Sequence, residues 1–125
     1  MTFRPKDFAV WMEIPVRDLE KSVAFYNAVF EIDLQIDATG PNPMATFVPA
    51  DPKTGVAGHL YPGEPAKAGT GPTVHLAAPG GLEAAMARVT ESGGEVVSDI
   101  ISIPAGKFVY CLDPDGNSIG LFNYG

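Results

Sequence analysis

The stretch that decides the fold is residues 13–30, which read EIPVRDLEKSVAFYNAVF. It begins inside an apolar, mostly alternating segment, residues 8–16, and that pattern predicts a strand. Asp18 follows, and a carboxylate at this place can accept hydrogen bonds from the free backbone N–H groups of a helix start. Apolar residues then recur at steps of three and four, which predicts a helix over about residues 19–30. Its buried stripe consists of Leu19, Val23, Tyr26, Val29 and Phe30.

The same order of signals returns in the second half of the chain. Residues 73–78, TVHLAA, predict another strand, and a second apolar stripe predicts a helix that ends at Gly93-Gly94. That stripe consists of Leu82, Met86 and Val89. Three strand-like segments follow each predicted helix: residues 33–37, 44–50 and 56–62 in the first half, and residues 95–100, 107–113 and 117–124 in the second.

The predicted architecture is therefore a duplicated unit. We expect a single α+β domain over residues 1–125, built from two βαβββ modules at about residues 8–63 and 73–124. The linker between them is residues 64–72, which read EPAKAGTGP. Aligning the two halves places Glu13 opposite His75 and Trp11 opposite Thr73. On the last strands, the alignment pairs Gly58 with Gly120.

Composition limits the possible environments and partners. Fifteen acidic residues against eight basic ones give a net charge of −7, which makes nucleic acid and anionic membrane surfaces poor partners. No apolar run reaches the roughly 18 residues of a membrane span, and the charged N-terminal segment does not resemble a signal peptide. The single cysteine, Cys111, excludes a disulfide within the chain and is expected to be buried and inert. These features predict a cytoplasmic protein.

Two segments, together with the fold-deciding stretch, carry a family resemblance. Residues 112–122, LDPDGNSIGLF, and residues 91–97, ESGGEVV, accompany the strand and capped helix of residues 13–30. In this combination the chain resembles the vicinal oxygen chelate superfamily, also called the glyoxalase, bleomycin-resistance and extradiol dioxygenase superfamily. The resemblance implies a curled, cup-shaped mixed β-sheet with both helices on the convex side. It also implies a homodimer, and a function among lyases, isomerases, dioxygenases and non-catalytic drug binders.

The resemblance also implies where a metal would be held in the members that use one. The first ligand position falls on Trp11, the last on Gly120, and the one on the final strand of the first module on Gly58. The fourth falls on Thr73, or on His75 if the loop is counted differently. Tryptophan and glycine have no metal-binding side chain, so we expect no cofactor. A divalent Zn, Ni, Fe or Mn ion would have to use Glu13, His59 and His75 instead.

Glu13 and His75 are the candidate catalytic residues. Glu13 shares a strand face with Trp11, so it is expected inside the cup, where a carboxylate is costly unless it is paired or used. His75 occupies the symmetry-related position, and a carboxylate facing an imidazole suits proton transfer. The alternative is a structural carboxylate and a half-buried histidine. His59 follows Gly58, so it is expected on the opposite face unless a bulge turns it inward.

Aromatic residues are expected to line the cup. Trp11, Phe47, Phe108, Tyr110 and Phe122 suit a small-molecule pocket, with Thr73 beside them, although packing between sheet and helices would explain some of them equally well. Two functions remain open. One is a glyoxalase-like lyase or isomerase, or a dioxygenase-related enzyme, that transfers a proton on a small substrate. The other is a binding module that sequesters a hydrophobic or aromatic compound, as bleomycin-resistance proteins do.

Overall fold

The structure is a computed structural model and describes residues 1–124 of the chain. The helices are α1 (Leu19–Phe30) and α2 (Leu82–Glu91). The strands of the first half are β1 (Trp11–Val16), β2 (Ile36–Asp37), β3 (Met44–Thr46) and β4 (Ala57–Pro62). Those of the second half are β5 (Val74–Ala77), β6 (Glu95–Val96), β7 (Ile101–Ile103), β8 (Gly106–Leu112) and β9 (Ser118–Tyr124).

The strands form two open sheets, and the predicted α+β class is confirmed. The first sheet has the order β1-β4-β3-β2, and the second has the order β5-β9-β8-β6, with β7 also paired to β8. In each module the strand before the helix pairs in parallel with the last strand, while the other pairs are antiparallel. The second module has one strand more than predicted, because residues 101–103 pair with β8 just before the loop at the rim.

Local signals place both helices where the sequence predicts them. The Asp18 side chain accepts a hydrogen bond from the Lys21 N–H at 3.1 Å and so caps α1. After α2, Gly93 adopts a left-handed conformation (φ 94°), and the Gly94 N–H donates to the Val89 carbonyl at 2.9 Å. Neither helix is long and apolar enough to cross a membrane, within the residues described.

The core lies between the two helices and one face of each sheet. Most of the predicted stripes are buried, but Val23 and Met86 are only partly buried and pack against the edge of the core. Phe25 and Ala85 are buried although the stripes did not include them, because α1 and α2 contact each other as well as the sheets. Cys111 is fully buried as predicted, and burial raises the pKa of its thiol to about 11.

A polar network joins the two modules at the turn between β8 and β9. Asp113 is only 3% exposed and accepts hydrogen bonds from the Tyr26 hydroxyl (2.8 Å) and from the backbone N–H groups of Asp115 and Asn117 (2.9 Å each). Asn117 in turn donates its side-chain N–H to the Pro15 carbonyl at 2.8 Å. Burial, reinforced by the charge of Asp113, raises the pKa of Tyr26 well above its usual value. The turn of the second module therefore holds α1 and β1 of the first.

Candidate functional site

Each sheet buries one face against the helices and leaves the other face open. On β1, Ile14 and Val16 are buried on the helix side, so Trp11 and Glu13 lie on the open face. β1 runs parallel to β4 with Glu13 in register with His59. Residues in register on adjacent strands point to the same side, so Glu13 and His59 are neighbours on this face.

The expected orientations of Gly58 and His59 were wrong. Gly58 is in register with Met12 and is buried on the helix side, whereas His59 lies on the open face beside Glu13. The error came from the internal alignment, which was one residue out of register on the last strands. Because Glu13 pairs with His59 and His75 pairs with Gly120, the true counterpart of Gly120 is His59. No bulge is needed to bring His59 to this face.

His59 is held in one orientation by Trp11. The indole Nε1–H of Trp11 donates to His59 Nδ1 at 3.1 Å, and the two rings lie 5.8 Å apart. An imidazole that accepts at Nδ1 is neutral there and carries its proton on Nε2. Tyr61 packs edge-on against the other side of His59, with ring centroids 5.9 Å apart. The open face of the first sheet therefore presents an oriented imidazole beside a carboxylate.

The open face of the second sheet is aromatic. His75 is in register with Gly120, and a Cβ added at Gly120 would overlap His75 Nδ1, so the imidazole lies directly over the glycine. The His75 ring is surrounded by Phe108 (5.0 Å between centroids), Tyr110 (5.7 Å) and Phe122 (6.3 Å). Only glycine at position 120 allows this packing.

A cavity of about 360 Å³ opens above these rings. Two nearly parallel rings, Phe108 and Phe122, form part of its wall, with their centroids 6.2 Å apart and their planes 5° apart. No lysine or arginine side chain is among the described residues that line it. The lining residues are His75, Ala77, Ile103, Phe108, Phe122 and Tyr124. The size and the apolar, aromatic walls are those of a small-molecule pocket.

Glu13 and His75 do not share a cavity within the chain. Glu13 lines a separate cavity of about 170 Å³ at the seam between the modules, where Val74 and Ser118 form the opposite wall. His75 belongs to the aromatic cavity described above. Among the residues described, no three histidine, cysteine, aspartate or glutamate side chains come together as a metal-binding group. The structure therefore does not assemble Glu13, His59 and His75 as a set.

The donor groups at the expected ligand positions do not fit a resident metal. Trp11 offers only an N–H donor, and the space over Gly120 is filled by the His75 ring. The Thr73 hydroxyl lies 2.6 Å from the Ser118 hydroxyl, with which it shares a hydrogen bond. His59, which takes the place of Gly58 on the final strand of the first module, has its Nδ1 engaged by Trp11. Each position lacks a ligating side chain or has its polar group already bonded.

Sequence reasoning found part of the aromatic lining and missed part. Phe108 and Phe122 line the cavity, and Tyr110 contacts His75, whereas Phe47 packs against Tyr26 in the core region (5.8 Å between centroids). Ile103 and Tyr124 were not among the candidates. The sequence does contain a signal for the position of His59. Aligning HLY, residues 59–61, with GLF, residues 120–122, matches leucine with leucine and tyrosine with phenylalanine, which the pairing of Gly58 with Gly120 does not.

Comparison with known proteins identifies the sequence family. The sequence model described as the Glyoxalase/Bleomycin resistance protein/Dioxygenase superfamily matches residues 9–121. No curated protein matches the chain.

Several solved structures share the fold. A glyoxalase/bleomycin resistance protein from Albidiferax ferrireducens T118 is 24% identical, covers 93% of this chain and 98% of its own, and has a TM-score of 0.67. The fosfomycin resistance protein FosX from Listeria monocytogenes is 16% identical, with 98% and 94% covered and a TM-score of 0.71. A glyoxalase-related enzyme from Fulvimarina pelagi is 18% identical, with 90% and 85% covered and a TM-score of 0.63. At these identities the likeness concerns the fold alone.

Proposed function

Because the chain belongs to the Glyoxalase/Bleomycin resistance protein/Dioxygenase superfamily, whose fold hosts both enzymes and binders, we propose that it is a binding module for a flat aromatic compound. The observation that carries the proposal is the placement of His75 over Gly120, with three aromatic rings around it. This arrangement puts aromatic surface where a metal-using member would place a ligand.

The aromatic cavity supplies the binding energy in this proposal. A flat ring that stacks on Phe108 or Phe122 gains about 0.5–1.5 kcal/mol per aromatic contact beyond the area it buries. The net charge of −7 and a lining without lysine or arginine among the described residues favour a neutral or cationic compound over an anionic one. Thr73, although predicted as a ligand contact, has its hydroxyl occupied by Ser118 and would contribute little.

A homodimer is part of the proposal. β2 ends the first sheet with both of its residues, Ile36 and Asp37, exposed, and an exposed edge with an apolar side chain invites a second copy. Trp11 is 51% exposed and Tyr124 is 82% exposed on the open faces, so covering these faces would bury two large aromatic side chains. A second copy would cover these faces and could bring Glu13 of one chain towards His75 of the other. Light scattering that gives the mass of one chain at micromolar concentration would refute this part.

The second candidate function is a glyoxalase-like lyase or isomerase that transfers a proton. It is favoured by one observation, the neighbouring positions of Glu13 and His59 on the open face of the first sheet. Trp11 holds His59 so that its Nε2–H can donate, while the Glu13 carboxylate can accept a proton. In this reading Glu13 and either His59 or His75 form the acid–base pair.

Binding of proflavine, a flat tricyclic cation, tests the first function by fluorescence polarisation. Phe122→Ala should weaken the affinity about ten-fold, because it removes one wall of the cavity. Val97→Ala is the matched control, since Val97 is 46% exposed in the same module and does not line the cavity. Equal affinity in both variants would contradict the proposal.

Elemental analysis of the purified protein separates the two functions. A stoichiometric divalent metal in each chain would support the enzyme and require a ligand set that forms only in an assembly. Glu13→Gln keeps the volume of the side chain and removes its charge, so the fold should be retained. If the protein is a binding module, this variant should bind proflavine as the wild type does.

A further inference from the structure

We propose that the aromatic cavity and a second, apolar cavity together bind one compound, in which an alkyl chain is attached to the flat ring. This assignment rests on the proposed function, because it takes the aromatic cavity as the place of the ring. It adds the second half of the ligand and the surface that receives it. The ligand is then an amphiphile with a flat aromatic head and an alkyl tail.

The apolar cavity measures about 280 Å³ and lies where the end of α1 and the segment after β3 meet the end of β5. Among the described residues that line it, only Asp33 and Thr46 have polar side chains. Its two aromatic residues, Phe30 and Phe47, both pack against Tyr26. The rest of the wall is apolar without rings and comes mainly from Met12, Ile32, Leu34, Val48, Val56 and Leu76.

The two cavities differ in the chemistry of their walls. Four of the six residues that line the aromatic cavity carry rings, namely His75, Phe108, Phe122 and Tyr124. Rings recognise another ring through a preferred stacking or edge-on geometry, whereas burial against aliphatic walls has no preferred direction and accommodates a flexible chain. The aromatic cavity therefore suits the head of such a ligand, and the apolar cavity suits its tail.

Ala77, at the end of β5, joins the two cavities. It lines both of them, so they adjoin at this residue. The two residues before it divide between the cavities, since His75 lines the aromatic one and Leu76 lines the apolar one. Ala77 is exposed and in register with Phe122. A chain attached to a ring beside Phe122 can therefore pass over a single methyl group into the apolar cavity.

Exposed apolar side chains at the apolar cavity provide the surface that the tail would bury. Val48 is 79% exposed, Val56 is 47% exposed and Ile32 is 39% exposed, and all three line the cavity. An exposed apolar patch around a hollow is typical of surfaces that bind another molecule. A tail attached to a ring that is already bound loses little further translational freedom, so most of its burial would appear as affinity.

The charge around the apolar cavity disfavours a tail that ends in an anion. Asp33 is the one charged residue that lines this cavity in the described part of the chain. Residues 31–52 around it contain four acidic side chains and no basic one. A carboxylate or phosphate at the end of the tail would meet like charge there. We therefore expect a tail with an uncharged end, which separates this ligand class from fatty acids and phospholipids.

Two dyes with the same ring test the tail. N-methyl acridine orange and N-nonyl acridine orange share a flat cationic ring and differ only in the length of the alkyl chain. Fluorescence polarisation at nanomolar dye should show the N-nonyl dye binding the wild type at least about 100-fold more tightly, since each methylene removed from water contributes roughly a factor of four. The ratio of the two dissociation constants, called the tail ratio below, isolates the tail from the ring.

Val48→Asn/Val56→Asn tests the apolar cavity. This double variant should lower the tail ratio at least about ten-fold, because it replaces apolar wall by polar groups. Affinity for the N-methyl dye should stay at the wild-type value, since neither residue lines the aromatic cavity. Val97→Asn is the matched control and should keep the wild-type tail ratio, because Val97 is 46% exposed and lines neither cavity.

Ala77→Leu tests the junction. A larger side chain at this exposed position should leave thermal unfolding unchanged, and it should lower the tail ratio towards one by obstructing the passage. The ratio cancels any effect of the substitution on the ring. Phe122→Ala should weaken both dyes alike and keep the ratio, which shows that head and tail occupy different cavities.

The outcomes distinguish failure of the tail from failure of the aromatic site. If the N-methyl dye binds but the wild-type tail ratio is near one, the apolar cavity does not receive the tail and this inference alone is overturned. A second copy that covers the exposed valines would give that result, and Val48→Asn/Val56→Asn would then lower the mass measured by light scattering. A tail ratio unchanged in either Val48→Asn/Val56→Asn or Ala77→Leu would also overturn it. If neither dye binds, the aromatic site fails and the inference fails with it.

Discussion

The two modules carry similar proline-containing turns in different surroundings. In the first, the Asp51 side chain accepts from the Lys53 N–H at 3.0 Å and from the Thr54 hydroxyl at 2.9 Å, and the whole turn is exposed. In the second, Asp113 makes the same kind of contact to the backbone two residues on, but it is buried against α1 and also accepts from Tyr26. The same local chemistry shapes a surface loop in one module and joins the modules in the other.

The open faces of the two sheets diverge in a related way. At corresponding positions the first module has Glu13 beside His59, and the second has His75 beside Gly120. With a side chain on both strands, the first face is polar, and its His59 imidazole accepts a hydrogen bond from Trp11. With glycine on one strand, the His75 imidazole of the second face lies over that glycine and aromatic rings pack around it. A single glycine therefore separates a surface suited to proton transfer from one suited to stacking.

The largest expected effect tests the difference between the turns. Asp113→Ala should lower the free energy of unfolding by about 3 kcal/mol, because it leaves the buried Tyr26 hydroxyl and two backbone N–H groups without their acceptor. Asp51→Ala is the matched control and should cost far less than Asp113→Ala, since water can replace the hydrogen bonds of this exposed side chain. Urea denaturation measures both. Equal losses of unfolding free energy in the two variants would show that burial of Asp113 contributes nothing to stability.

A second prediction concerns β8, which carries Tyr110 on the open face beside His75 and Cys111 on the buried face. The folded-state pKa of Cys111 is about 11 and lies above its ordinary value of 9.0, because burial disfavours the charged thiolate. Its stabilising contribution is complete below pH 9.0 and is lost as pH rises towards 11. Wild type should therefore lose about 2 kcal/mol more than Cys111→Ala between these pH values in urea titrations. Parallel losses in both proteins would contradict the assignment.

The smallest expected effect concerns the glycine that distinguishes the open faces. Gly120→Ala should cost about 1 kcal/mol, because its Cβ displaces the His75 ring, and adding His75→Ala should recover most of this loss. Gly40→Ala is the matched control, since a Cβ there meets no atom within 4 Å. Thermal unfolding compares the four proteins. If the double variant is no more stable than Gly120→Ala, the two residues are not coupled.

The sequence by itself determined the elements that depend on near neighbours. The Asp18 cap, the glycine stop at residues 93–94 and the apolar stripes predicted both helices, because capping and helical periodicity act over a few residues. The duplication could be predicted from the sequence for the same reason, since each module repeats these local signals. Phe108, Tyr110 and Phe122 could be assigned to one face, because alternate side chains of a regular strand point to the same side of the sheet.

Only the tertiary structure decided how distant strands align and which groups are buried. The side of the sheet that His59 occupies depends on the β1–β4 register, and a shift of one residue reverses the face of every side chain on a strand. The short strand β7 exists because β8 offers it backbone partners, which no local pattern records. Glu13 and His75 occupy equivalent positions in the two modules but line different cavities. A sequence repeat shows which residues are equivalent, but it does not show how far apart they lie in the folded chain. Burial of Asp113 likewise required α1 to pack over the turn, a contact between residues 87 positions apart.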